Sequence, residues 1–185
     1  MAQFARPISD YNFPASFTGT PVNSAGNRYQ NIDEVTPSNT DYNYCDNNPG
    51  GSDVASHNLS SVTDPESSSG HIVRYRYVRT NAGTPSGTGT SVNLTVVLYQ
   101  DVTVIAQKVI SGITSGTWIS DSFTLTDTEA NSITDYSLLR IQFNPSGGGG
   151  SPANRRGVGY SWAELEVPDA PVGGGTIFIT LIGND

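Results

Sequence analysis

Cysteine occurs once, at position 45, so no internal disulfide framework is available. A lone cysteine of this kind reads as a small, half-buried hydrophobe. Lysine is as scarce, with Lys108 standing alone among nine basic residues. The net charge of −8 and pI near 4.5 exclude a nucleic-acid partner, because phosphate contacts need clustered cations. Histidine is present only as His57 and His71, and neither sits in a zinc-binding spacing. No segment approaches the ~18 apolar residues of a membrane span. The start, MAQFARPISDYNF, lacks the charged-then-apolar order of an export leader. Runs of good helix formers are missing, which leaves little from which to build long helices.

What is present favours strands. Glycine (20) and proline (11) punctuate the chain, and between them apolar residues alternate with polar ones. From His71 to Thr80, Val73, Tyr75 and Tyr77 alternate with arginines. The dense basic stretch of Arg74, Arg76 and Arg79 therefore reads as one solvated strand face. Val92, Leu94, Val96 and Leu98 share a face, and Asp101 turns that strand into a hairpin with Val102–Ile110. Further strands are expected at 117–125, 136–143 and 158–167, and shorter ones at 28–32, 41–45 and about 59–62. Thr126-Asp127-Thr128-Glu129 is a capping box, which predicts one short helix. About eight or nine strands at roughly ten-residue spacing predict an all-β, antiparallel, jelly-roll-like sandwich over residues 28–168.

Both ends read differently from the middle. Residues 1–27 have no periodicity but carry Phe4, Tyr11, Phe13 and Phe17, as expected of an extended arm lying on its own domain or on a neighbour. Residues 169–185 begin with a glycine hinge and end in TIFITLI, where Ile177, Ile179 and Leu181 oppose Phe178, Thr180 and Ile182. Such a segment needs cover on both faces, either within the sandwich or by adding to a neighbouring subunit. These eight aromatic and aliphatic side chains (Phe4, Tyr11, Phe13, Phe17, Ile177, Phe178, Ile179 and Leu181) are the expected assembly contacts.

Candidate chemistry is thin. No nucleophile elbow surrounds any serine. Glu164 and Glu166 share a strand face that alternation places outside, and Asp33-Glu34 follows a strand end, so neither pair reads as a glycosidase acid pair. Asp46, Asn48 and Asp53 in CDNNPGGSD partly echo a calcium loop, but Pro49 interrupts the pattern and His57 stands where its glutamate belongs. An Asx or proline turn explains that segment better, and calcium stays a weak candidate, with no other cofactor expected. Gly147–Gly150 has no following Lys-Ser/Thr and reads as a surface loop. Tyr11, Tyr42, Tyr44, Tyr75, Tyr77, Trp118, Tyr160 and Trp162 are candidate sugar platforms, although Trp118 and Trp162 read first as core.

The stretches RYRYVRT, VNLTVVLYQDVTVIA, FTLTDTEANSITDYSLLRIQF and GYSWAELEVPDAP resemble a family of small virion structural proteins of tailed bacteriophages and prophages. Arg6-Pro7, Ile32-Asp33-Glu34 and Thr40-Asp41-Tyr42 fit the same pattern. Glu129, Asp135, Tyr136 and Leu139 form its most specific unit, while TIFITLIGND lies outside it. The resemblance implies a non-enzymatic head decoration or cement protein, or a neck or tail accessory, with no catalytic residues to carry over. The implied partners are the major capsid protein, other virion proteins and further copies of the chain. The implied location is the virion, assembled in the host bacterial cytoplasm, with no membrane partner. A carbohydrate-binding module for host adsorption is the alternative, with a glycan as its partner.

Overall fold

The computed structural model describes residues 1–51 and 53–171. The chain runs through β1 (Ala2–Ala5), β2 (Pro7–Asn12), β3 (Phe17–Thr20), β4 (Tyr42–Cys45), β5 (Ala55–Leu59) and β6 (Ile72–Asn81). It continues through β7 (Thr84–Pro85), β8 (Val92–Gln100), β9 (Thr103–Ile113) and β10 (Ile119–Thr124). After the helix α1 (Asp127–Asn131) come β11 (Leu139–Gly147) and β12 (Gly157–Pro168). A 7-stranded sheet has the order β10-β6-β12-β4-β3, with β1 on β12 and β7 on β6. A 5-stranded sheet, β2-β5-β11-β8-β9, packs against it. The architecture is the expected antiparallel β-sandwich.

Alternation decides which side chains fill the space between the sheets. Val73, Tyr75, Leu94, Val96, Leu98, Ile141, Phe143, Tyr160 and Leu165 are all buried. Phe143 of the smaller sheet and Tyr160 of the larger stack with ring centroids 3.9 Å apart. Each such ring contributes about 1.5–3 kcal/mol by leaving water. The capping box forms as its sequence requires: Glu129 N–H donates to Thr126 Oγ1, and Thr126 N–H donates to the Glu129 carboxylate.

Several expectations change. Residues 2–20 do not lie outside the sandwich, because β1 and β3 join the larger sheet and β2 joins the smaller one. Each crossing is only four to six residues long, too short for a periodic signal. Residues 28–31 form a 3-10 helix instead of a strand. Its first turn is fixed by Asp10, whose carboxylate accepts the Arg28 and Tyr29 N–H groups at 2.9 and 2.8 Å. The strand expected near 59–62 runs from Ala55 to Leu59, where buried Ser56 and His57 hide the apolar alternation. Tyr136 precedes β11 and buries its ring, with its hydroxyl 2.7 Å from His71 Nε2.

Arg79 is the sharpest reversal. Counting along β6, position 79 shares the inward face with 73, 75 and 77, and Arg79 is 1% exposed. Its guanidinium donates to the carbonyls of Ser86, Gly89 and Thr90, so it ties the 86–90 loop to the strand. Glu164 is also buried although it lies on the outer side, because Arg6 crosses over it at 2.7 Å. Cys45 is fully buried, and burial pushes its thiol up to about 12.

Candidate functional site

Register places a row of side chains across the whole width of the smaller sheet. Ser9 on β2 pairs with Asn58 on β5, Asn58 with Arg140 on β11, Arg140 with Tyr99 on β8, and Tyr99 with Val104 on β9. Because side chains alternate along a strand, these residues share the outer face. A second row, Ser56, Gln142, Val97 and Gln107, runs beside it.

Two irregularities in β2 turn this face into a cleft. Register shifts fall between Pro7 and Ser9 and between Asp10 and Asn12, so Ile8 and Tyr11 are the extra, unpaired residues. A bulge re-aims the side chain it carries, and both line the cleft. Asp10, between them, is held from behind by the 28–31 turn and by His57 Nδ1 at 3.0 Å. The cleft, about 380 Å³, is lined by Ile8, Ser9, Tyr11, Asn58, Leu59, Asp101, Ser137, Leu138 and Arg140. That volume lies within the usual range of small-ligand sites.

The Arg140 guanidinium packs against two rings, 4.1 Å from the Tyr11 centroid and 4.3 Å from that of Tyr99. Its Nε donates to the Asp101 carbonyl at 2.8 Å. Gln142 Nε2 reaches the Tyr99 hydroxyl at 3.3 Å. Tyr11 remains 53% exposed, so one aromatic surface faces solvent, beside amide, hydroxyl and carboxylate groups.

A second cleft, of about 320 Å³, lies on the larger sheet between Pro37, Arg74, Ser120, Asp121, Ser122 and Trp162. Its charged groups are already engaged: Arg74 Nε donates to Glu166 at 2.9 Å, and Lys108 Nζ donates to Asp121 at 2.8 Å. Trp162 is buried, and its indole N–H donates to the Glu34 carbonyl. Trp162 is thus buried as expected, whereas Trp118 is only half-buried and lies outside the core in which it was expected. Trp118 joins Tyr42 and Tyr44 in an aromatic group near this cleft, 5.3 Å from Tyr42. The Glu34 carboxyl is pushed up to about 8, first by burial and then by Asp41 beside it.

The expected assembly contacts disperse. Phe4 and Tyr11 are exposed, whereas Phe17 is buried and Phe13 packs against the core and His57. Ile177, Phe178, Ile179 and Leu181 lie outside the described residues. Of the sugar-platform candidates, Tyr75, Tyr77 and Tyr160 are core. Of the weak calcium ligands, Asp53 accepts the Gly50 N–H and closes the turn, while Asp46 is exposed and Asn48 adopts φ 64°. Among the described residues, no three His, Cys, Asp or Glu side chains converge as a metal site.

Asp10, His57 and Tyr160 form a hydrogen-bonded chain, with His57 Nε2 3.1 Å from the Tyr160 hydroxyl. Burial holds His57 below its ordinary pKa and Tyr160 well above. Burial also pushes Asp10 upward, but the His57 and backbone hydrogen bonds outweigh it and hold that carboxyl low. The pattern is an ionised Asp10, a neutral His57 donating from Nδ1, and a protonated Tyr160 donating to Nε2. All three groups are sealed from solvent, which makes the chain a tie between the sheets.

No protein-family model and no curated protein matches this chain. Among solved structures it is similar to a carbohydrate-binding module in complex with β-1,4-galactotriose. That likeness has TM-score 0.39 and 8% identity, covering 91% of this chain and 88% of that one. It is also similar to the K3 adhesin domain of Lys-gingipain from Porphyromonas gingivalis. There the TM-score is 0.39 and the identity 9%, covering 87% of this chain and 97% of that one. At such similarity neither neighbour carries an argument about this chain.

Proposed function

We propose that the chain is a non-enzymatic binding domain that holds a saccharide in the cleft of the smaller sheet. The observation that carries this reading is the half-exposed Tyr11 ring laid over Arg140. A pyranose ring presents an apolar C–H face and a rim of hydroxyls. An aromatic surface flanked by Asn58, Ser9, Ser137 and Asp101 matches both. A glycan array tests it: wild-type chain is expected to bind a defined set of saccharides, and Tyr11→Ala to lose them. Signals equal in the two proteins would refute the assignment.

A second reading is assembly on a virion, as the sequence resemblance implies. One observation favours it: β9 is the outermost strand of its sheet, and Val104 and Val109 are exposed along it, with exposed Val102 in the turn before it. Exposed apolar residues on a sheet edge suit contact with a capsid protein or a second copy. A particle map with density for this chain, its β9 edge against a neighbour, would support that reading. Density with a free β9 edge would count against it.

A further inference from the structure

We propose that the ligand of the smaller-sheet cleft carries a carboxylate, so that the cleft reads an acidic saccharide through Arg140; this rests on the saccharide reading above. Three arginines are buried in the sandwich. Arg79, Arg140 and Arg156 are 1%, 8% and 6% exposed, and none takes part in an ion pair among the described residues. A buried cation without a counter-charge is costly unless hydrogen bonds or a ligand replace its water.

Arg156 meets that need within the protein, and Arg79 meets most of it, although its buried Nη2 has no partner among the described residues and neither cleft opens on it. Arg79 donates to the carbonyls of Ser86, Gly89 and Thr90, and Arg156 to those of Thr88, Ala153 and Arg155. Arg140 does not. It has one carbonyl, that of Asp101, and one long contact from Nη1 to Ser56 Oγ at 3.4 Å. Its Nη2 has no protein partner among the described residues and is not sealed from solvent. Arg140 also lines a cleft.

The rings decide what can approach. The Tyr11 and Tyr99 rings both pack against the guanidinium, which leaves its N–H edge, with the unpartnered Nη2, as the group a ligand can engage. A carboxylate on a guanidinium edge makes charge-assisted hydrogen bonds, whereas a neutral hydroxyl returns less for the same desolvation. Asp101 lines the same cleft, and its exposed side chain makes no ion pair with Arg140. It is free to accept from the hydroxyls of the ring whose carboxylate Arg140 holds.

Uronic-acid oligosaccharides, each paired with its methyl ester and accompanied by neutral oligosaccharides, test the inference by titration calorimetry on the full chain. The acid form is expected to bind at least about tenfold tighter than its ester. In Arg140→Gln the ratio of acid to ester affinity is expected to fall below about twofold. The ester comparison on wild-type protein needs no folded variant. Equal binding of acid and ester, or Tyr11-dependent binding of neutral saccharides alone, overturns the acidic ligand while the saccharide reading stands. Failure of every saccharide to bind overturns both.

Discussion

Replacing Asp10 with alanine tests whether the first twenty residues belong to the fold or merely lie on it. The Asp10 carboxylate is 6% exposed and accepts three hydrogen bonds: Arg28 N–H at 2.9 Å, Tyr29 N–H at 2.8 Å and His57 Nδ1 at 3.0 Å. A donor left unsatisfied on burial costs about 1–3 kcal/mol. The two backbone donors belong to part-buried contacts that water can reach, so the total is about 3–5 kcal/mol. In a chain of this size about 2–4 °C of melting temperature is lost per kcal/mol, which gives a drop of about 6–20 °C. Thermal unfolding of Asp10→Ala followed by circular dichroism measures it, with exposed Asp46→Ala as the control. The effect should also be acid-sensitive. Asp10 is held below its ordinary pKa in the fold, so its stabilisation is present above the unfolded value, near 3.8, and is lost as pH falls through the folded one. A drop under about 1 °C at neutral pH would refute the reasoning, because a loosely attached arm would give that result.

Glu34 supplies a prediction of opposite sign. Its carboxyl moves from 4.5 to about 8, so between those values the folded chain binds more protons than the unfolded one and stability falls as pH rises. Glu34→Gln should flatten that part of the melting-temperature profile between pH 5 and 8, and identical slopes in the two proteins would count against a Glu34 carboxyl raised by burial. Thr126→Ala removes the capping box and should cost about 1 kcal/mol by chemical denaturation; an unchanged midpoint would mean that packing alone holds α1.

The fold was legible where strands are long and half-buried. β6, β8, β9 and β12 lie close to where period-two alternation puts them, and Asp101 turns the β8–β9 hairpin as expected. The four-residue helix cap was legible because its chemistry is local. What could not be read depends on neighbours distant in sequence. The short crossings of residues 2–20 are held by Asp10, Ala5 and Phe17, whose partners lie on other strands. Parity along β6 marks Arg79 as inward, but the basic composition of the segment outweighed it. The cleft was half legible. Tyr11 stood out as an unattached aromatic, and the alternation of Arg140 and Gln142 with Ile141 and Phe143 marks a polar strand face. The bulges that aim Ile8 and Tyr11 into the cleft leave no mark in composition or period.

Amide chemical-shift mapping tests the central claim most directly. The full, isotope-labelled chain is titrated with the tightest saccharide from the array. Shift changes are expected to cluster at Ser9, Tyr11, Asn58, Asp101, Ser137 and Arg140, on the outer face of the smaller sheet. Changes clustered at Tyr42, Trp118 and Trp162 on the other sheet, or no changes at saturating ligand, would contradict the account.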